Sequence, residues 1–326
     1  MSITHLPLTV HQLVFEAEAV TPIEFGPQAG AQLRGALWEA LREVVVCDDK
    51  LAGTPEHSRF CPLCRLVLME SMESPRGVNP PRPFAIRPPL DFDHHLNLKY
   101  AVGQTVCFGV NLYGDAEQLF PYVCQAVYKI GQIGVGYGRG RFLLRRAQAV
   151  NPFTGQTQVL FDEAKLRGLP SVPITHEVVA AAVRMWPKNQ IRLKWLTPCE
   201  LTDHKRPART LHAHILIGRL IERAQLLEMH YTPQSQYGHL WRELHLKLQE
   251  RAKTIRLVKD ATRWVHVMSG SRRADALRSV SGVVGEAYYA GELGEMVYWL
   301  AWGSVLHVGK NVVKGNGWYE IVPLEE

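Results

Sequence analysis

Between Leu8 and Val20 apolar and polar residues alternate, the pattern of a strand with one buried face, and Gly26-Pro27 interrupts it. Over Gln32–Val46 leucines and alanines recur at helical spacing, which predicts an amphipathic helix. PFAIRPP and TVCFGVNLYG alternate again and predict two strands. Asp115 is placed to cap a helix running to about Ile130. A glycine-rich turn, GQIGVGYGRG (131–140), then leads into the strand RFLLRRAQAV. Strand–helix–strand–strand–helix–strand is the order of a ferredoxin-like unit.

The second half repeats that order. Residues 191–201 read as a strand, and 209–229 and 240–252 are helical by period. TIRLVKDATRWVHVM and SGVVGEAYYAG read as paired strands joined by the basic turn SGSRRADALRS. Glu292 to Trp302 is a helix, followed by a second glycine-rich turn and the last strand, GWYEIV. Element order repeats while identity between the halves is low. The expectation is an α+β protein of two tandem ferredoxin-like (RRM-like) domains, 1–165 and 166–326. An irregular, cysteine-bearing insertion over about 47–82 interrupts the first.

Composition narrows the class. The chain has 326 residues, 46% hydrophobic and 21% charged, enough for two folded domains. No window approaches eighteen uninterrupted apolar residues, so a membrane partner is not expected. The start lacks a basic segment followed by an apolar core, and the six cysteines are too few and scattered for a disulfide framework. A reduced, cytoplasmic protein is expected. Residues 1–180 hold 16 Lys/Arg against 17 Asp/Glu, a balance of −1; residues 181–326 hold 21 against 14, a balance of +7. A basic half suits a polyanion, because phosphate contacts release counterions. A solvated basic surface would look the same.

Both glycine clusters precede the last strand of their half, where glycines let backbone approach a ligand and turn amides toward an anion. Neither is a nucleotide-cofactor motif. Before Gly309-Lys310, Ser304 stands where a P-loop needs glycine and Asn311 replaces its Ser/Thr, while the first cluster alternates G-V-G-Y-G-R-G. An RRM aromatic run is likewise absent. Cys47, Cys61 and Cys64 form a candidate structural zinc site, with C-x-x-C at the spacing such sites use.

The ending, with His307, Gly309, Lys310, Gly315, Gly317, Tyr319 and Ile321, follows a turn carrying Trp264, Ser269, Ser271, Arg272 and Arg273. Together they resemble the carboxyl-terminal signature of the CRISPR-associated endoribonucleases of the RAMP superfamily. LRGALWEAL, the Cys47/Cys61/Cys64 segment and PRPFAIRPP resemble the family's first half, so the likeness covers nearly the whole chain. It implies a nuclease that cuts CRISPR repeat RNA into guide RNA with no cofactor. The 2′-OH attacks the adjacent phosphate and leaves a 2′,3′-cyclic phosphate. The implied partners are precursor and mature guide RNA and other effector subunits. A RAMP subunit that only holds guide RNA is the alternative.

Such cleavage needs an acid, a base and positive charge at the phosphorane. His307, just past a helix and beside Gly309-Lys310, is the leading acid or base, with Lys310 as the stabilising charge. His57 is the rival, since relatives place a catalytic histidine after the first helix. Relatives often carry a fourth cysteine where this chain reads Arg65–Glu70, so a zinc site here would need His57 and would make it structural. Arg139, Arg141, Arg145, Arg272, Arg273 and Lys314, with Gly309, Gly315 and Gly317, are the expected RNA contacts. Arginine forks match phosphate, and glycine turns admit it. His212 and His214, two apart on a helix, face different ways and form no pair.

Overall fold

The alternation read at the start of the chain becomes β1 (Val10–Ala19), whose alternate residues Leu13, Phe15, Ala17 and Ala19 are all buried. The computed structural model describes residues 5–68, 80–90, 97–232, 238–271 and 276–322. It divides into two units, Thr9–Pro173 and Met1–Leu8 with Ile174–Glu326, so the first few residues belong with the carboxyl-terminal unit.

In the first unit β1 is followed by β2 (Ile23–Phe25) and α1 (Ala29–Val44). Leu33, Ala36, Leu37, Ala40 and Leu41 line one side of α1 at three- and four-residue spacing and are buried. The helix stops at Val45, which is extended at φ −118° and ψ 119°. The insertion holds α2 (Pro55–Ser58) and a π-helical turn over Cys64–Leu68, and 69–79 lie outside the described residues. Next come β3 (Phe84–Arg87), β4 (Leu98–Tyr100) and β5 (Thr105–Tyr113). The expected cap at Asp115 is not used. Residues 114–119 form a 3-10 turn, and α3 (Phe120–Ile133) opens with Pro121 in its first turn, where a missing N–H costs nothing. Asp115 pairs with Arg65 instead. β6 (Phe142–Val150), β7 (Thr157–Asp162) and β8 (Lys165–Leu166) complete the unit. The antiparallel sheet runs β3-β5-β1-β6-β7-β8, a ferredoxin-like order with a hairpin added at one edge.

The second unit opens with α4 (His176–Val183) and β9 (Gln190–Cys199), then a small hairpin, β10 (Thr202–Asp203) and β11 (Arg206–Pro207). α5 (Ala213–Tyr231) and α6 (Leu240–Ala252) follow where the helical period placed them. The expected strand pair is β12 (Arg256–Val265) with β15 (Gly282–Ala290); its basic connection is itself a hairpin, β13 (Met268–Ser271) and β14 (Ala276–Ser279). α7 (Met296–Leu306) is apolar on nearly every side and accordingly enclosed. β16 (Tyr319–Val322) closes the sheet as β12-β15-β9-β16, again ferredoxin-like. Trp195, Ala287, Tyr289 and Tyr319 face the helices, with Tyr289 Oη donating to Leu211 O (2.5 Å) and Tyr319 Oη to Leu300 O (2.7 Å). No helix among the described residues is long and apolar enough to cross a membrane.

Candidate functional site

The carboxyl-terminal glycine segment folds back onto the end of β9. Lys310 N–H donates to Glu200 O (3.0 Å), Gly317 N–H to Pro198 O (3.0 Å) and Val308 N–H to Gly317 O (3.1 Å). Thr197 Oγ1 donates to Gly315 O (2.7 Å) and accepts from Trp318 N–H (2.9 Å). The glycines are there for this closeness. A Cβ on Gly317 (φ +72°) would lie 1.8 Å from Val308 O, and one on Gly309 (φ +95°) 2.6 Å from Glu200 O. The amides of Gly315 and Gly317 are therefore spent within the protein, on Val312 O and Pro198 O. Gly309, Gly315 and Gly317, expected to open the backbone to phosphate, thus also serve the loop's own fold, through the space at Gly309 and Gly317 and the amides of Gly315 and Gly317.

His307 ends α7 with φ +58° and ψ +164°, a conformation that side-chain-bearing residues rarely hold. Its ring is 0% exposed and lies parallel to Trp318, 4° between planes and 6.0 Å between centroids. Enclosed there, His307 could act as acid or base only if the loop opened. Lys310 is different. Its side chain is 56% exposed, and its ammonium sits 2.6 Å from Oε1 of Glu200, whose side chain is only 9% exposed.

The same end of β9 carries a feature the sequence reading missed. β10 and β11 turn through His204 (φ +42°) and Lys205 (φ +66°), both left-handed as a two-residue hairpin requires. His204 is 95% exposed, Lys205 and Arg206 are exposed, and Ala208 N–H donates to Leu201 O at the hairpin's base. Imidazole, ammonium and guanidinium thus project from the strand end that anchors Lys310. The signal available was T-D-H-K-R-P, a six-residue stretch between apolar Leu201 and Ala208 with four polar or charged residues in a row at its centre.

The sheet beside it has a face without helices. Arg192 and Lys194 on β9 alternate with buried Ile191, Leu193 and Trp195, and the register sets them opposite Tyr288 and Glu286. Lys259 on β12 pairs with Tyr288, and Arg263 with Val284. The Lys259 ammonium lies 4.9 Å and the Arg192 guanidinium 5.6 Å from the Tyr288 ring centroid. Arg192 donates to Glu286, whose carboxyl is held below its ordinary range by that bond, and Tyr288 Oη donates to Glu286 Oε2 (3.0 Å). Glu320 on β16 lies across from Lys194. Among the described residues, the four cations Arg192, Lys194, Lys259 and Arg263 and the two carboxylates Glu286 and Glu320 give this face a basic balance, which suits a polyanion.

The first-unit candidates are held locally. Arg139 forks onto Glu39 (3.2 Å), Arg145 donates to Glu18 (2.9 Å), and Arg141 is exposed at the start of β6. Tyr137 is exposed, its hydroxyl accepting from Gln28 Nε2 (2.9 Å). Lys314 sits half-buried in the second glycine loop; Arg272 and Arg273 lie outside the described residues. The insertion does gather its donors. Cys47 Sγ, His57 Nε2, Cys61 Sγ and Cys64 Sγ lie within 4.8 Å of one another, a set that could hold a metal ion.

Two ferredoxin-like units, a second sheet with a basic face and a carboxyl-terminal glycine loop define a RAMP-type protein. A family model described as CRISPR-associated endoribonuclease Cas6 matches residues 193–319, and one described as an N-terminal domain (AF_1859_N) matches 6–173. The carboxyl-terminal part of the chain matches the Cas6 endoribonuclease family, and the protein is a CRISPR Cas6-type RAMP protein. Among solved structures, Thermus thermophilus Cas6 (TTHB231) is 16% identical with a TM-score of 0.55, covering 97% of this chain and 99% of that one. A Cas6 (TTHB231) product complex gives 17%, 0.54, 97% and 99%, and a partial Cas6-RT-Cas1–Cas2 complex 13%, 0.59, 98% and 47%. At these identities the likeness shows the fold. No curated protein matches the chain.

Proposed function

We propose that this chain cuts CRISPR repeat RNA into guide RNA without a catalytic metal, through attack of a ribose 2′-OH on the adjacent phosphate. The products are a 2′,3′-cyclic phosphate and a 5′-OH. The observation that carries the reading, beyond family membership, is the gathering of cations on the open second sheet and on the loop and hairpin rooted at Glu200-Leu201. RNA would lie across Arg192, Lys194, Lys259 and Arg263. The Lys310 ammonium, on a flexible stem, would turn from Glu200 to the charged phosphorane. His204, rather than enclosed His307, would move the proton. A fold relative solved as a product complex and another in an assembly with Cas1 and Cas2 support a chain that keeps its product and joins other CRISPR subunits.

A second reading, a subunit that holds guide RNA without cutting it, is favoured by one observation: the family-signature histidine is fully enclosed. Labelled repeat RNA incubated with the protein in EDTA, followed by end-group analysis, separates the two. Cleavage with a cyclic phosphate end supports the nuclease; intact RNA bound tightly, with or without added Mg²⁺, supports the holder. Under single-turnover conditions His204→Ala and Lys310→Ala should each slow cleavage roughly 10²-fold or more while binding changes little. Wild-type rates in both variants would move the chemistry elsewhere.

A further inference from the structure

The insertion after α1 brings four soft or borderline donors together from three separate turns of chain. Cys47 follows the end of α1, His57 lies in α2, and Cys61 and Cys64 flank the entry to the π-helical turn, a C-x9-H-x3-C-x2-C spacing. Cys47 Sγ is 3.4 Å from His57 Nε2 and 3.5 Å from Cys64 Sγ. A tetrahedral zinc with Zn–S of about 2.3 Å and Zn–N of about 2.0 Å has ligand–ligand edges of roughly 3.5–3.8 Å. The cysteines are free thiols, and 3.5 Å is far beyond the ~2.05 Å of a disulfide.

The local sequence builds this geometry rather than tolerating it. Pro55 opens α2, and Thr54 caps it by accepting the His57 N–H (3.4 Å). Cys61 N–H donates to His57 O (2.9 Å), so the C-x-x-C continues from the histidine's own turn. Gly53, at φ +85°, donates its amide to Cys64 Sγ (3.3 Å), an outer hydrogen bond of the kind that favours a thiolate. Cys64 is 0% and Cys61 6% exposed, so these sulfurs are shielded from solvent.

We propose that Cys47, Cys61, Cys64 and His57, through Nε2, form a closed zinc site that ties the insertion to the end of α1. Three thiolates and an imidazole select zinc over hard cations. Four protein ligands leave no position for water or substrate, so the metal holds structure and takes no part in cleavage. His57 then serves as a ligand, not as a rival proton-transfer group.

The test uses the full chain. After purification and dialysis, elemental analysis should give about one zinc per chain. Cys47→Ser and Cys64→Ser should lose it, Cys107→Ser and Cys124→Ser should keep it, and His57→Cys should retain it. Because a ligand variant can fail by misfolding, cobalt(II) exchange into the wild-type chain gives a second readout. Intense visible bands with sulfur-to-metal charge transfer mark a tetrahedral thiolate site. A folded, metal-free chain, a pale octahedral cobalt spectrum, or equal zinc in all variants would overturn the proposal. The outcome is independent of RNA cleavage. Should activity fade in EDTA, rescue by zinc alone fits this site, and rescue by Mg²⁺ alone would instead count against metal-independent cleavage.

Discussion

The two units share the ferredoxin-like strand order and differ in how each handles charge on the helix-free side of its sheet. In the first, Arg145 is matched to Glu18, and Glu16 lies across from Arg146. Arg139 and Arg167 are likewise spoken for, by Glu39 and Asp162. In the second, Arg192, Lys194, Lys259 and Arg263 share a face with Glu286 and Glu320, and Tyr288 lies between two of the cations. One topology thus occurs twice, and the two sheets differ in how far their cations are matched locally by carboxylates. A balance of charge over each half of the chain hints at this; only strand register says which cations share a face.

The glycine loops differ as well, and here the largest effect is expected. Gly138 in the first loop has φ +71° and open space where a Cβ would go, whereas Gly317 in the second is pressed against Val308 O. Gly138→Ala should cost about 1–2 kcal/mol, the price of a left-handed side chain. Gly317→Ala adds a backbone clash that cannot relax locally and should cost on the order of 3–5 kcal/mol. Chemical denaturation midpoints of the two variants measure the difference. Equal losses would mean that the second loop is not packed as described.

Much of the fold was legible because periodicity is a local property. α5, α6, β9, β12 and β15 fall where alternation or helical spacing placed them. β7 and β8 were not anticipated, because their stretch follows the turn-rich Asn-Pro-Phe-Thr-Gly-Gln and is itself short and mixed in pattern. The site was harder to read. His307 has the residue type and neighbours of a catalyst, yet a tertiary fact, its enclosure against Trp318, decides what it meets. His204 looked like any histidine in a loop until the hairpin placed it beside the strand end that anchors Lys310. For the insertion, three cysteines and the need for His57 as a fourth donor were visible in the sequence; the structure adds that all four donors lie within 4.8 Å of one another.

The comparison of open faces can be tested directly on RNA. Lys194→Glu with Lys259→Glu should weaken repeat binding by roughly 10–100-fold at moderate salt, because two contacts become repulsive. The slope of log K against log salt, expected near about −4 for the wild type, should flatten by roughly 2. Arg145→Glu, whose charge already serves Glu18, should change affinity by less than about 3-fold. Filter binding across a salt series reads both quantities. Equal losses from the two faces would erase the distinction drawn between the units.

The smallest expected effect concerns the ion pairs themselves. Arg145 and Glu18 are 55% and 40% exposed, so solvent and salt screen them, and their coupling in a double-mutant cycle should be about 0.3–0.5 kcal/mol. Arg192 and Glu286 are 29% and 27% exposed, and the carboxylate also accepts from Tyr288 Oη. A less solvated pair inside a hydrogen-bonded group couples more strongly, so about 1 kcal/mol is expected there. The cycle is best run with Ala at each position and repeated at high salt, where the first coupling should vanish and the second persist in part. Persistence matters for the proposed RNA face: a Glu286 that holds Arg192 over Tyr288 keeps the guanidinium oriented while Lys194 and Lys259 meet phosphate. A second-sheet coupling no larger than the first would show that Arg192 is as loosely held as Arg145, and the ordered basic face would reduce to scattered surface charge.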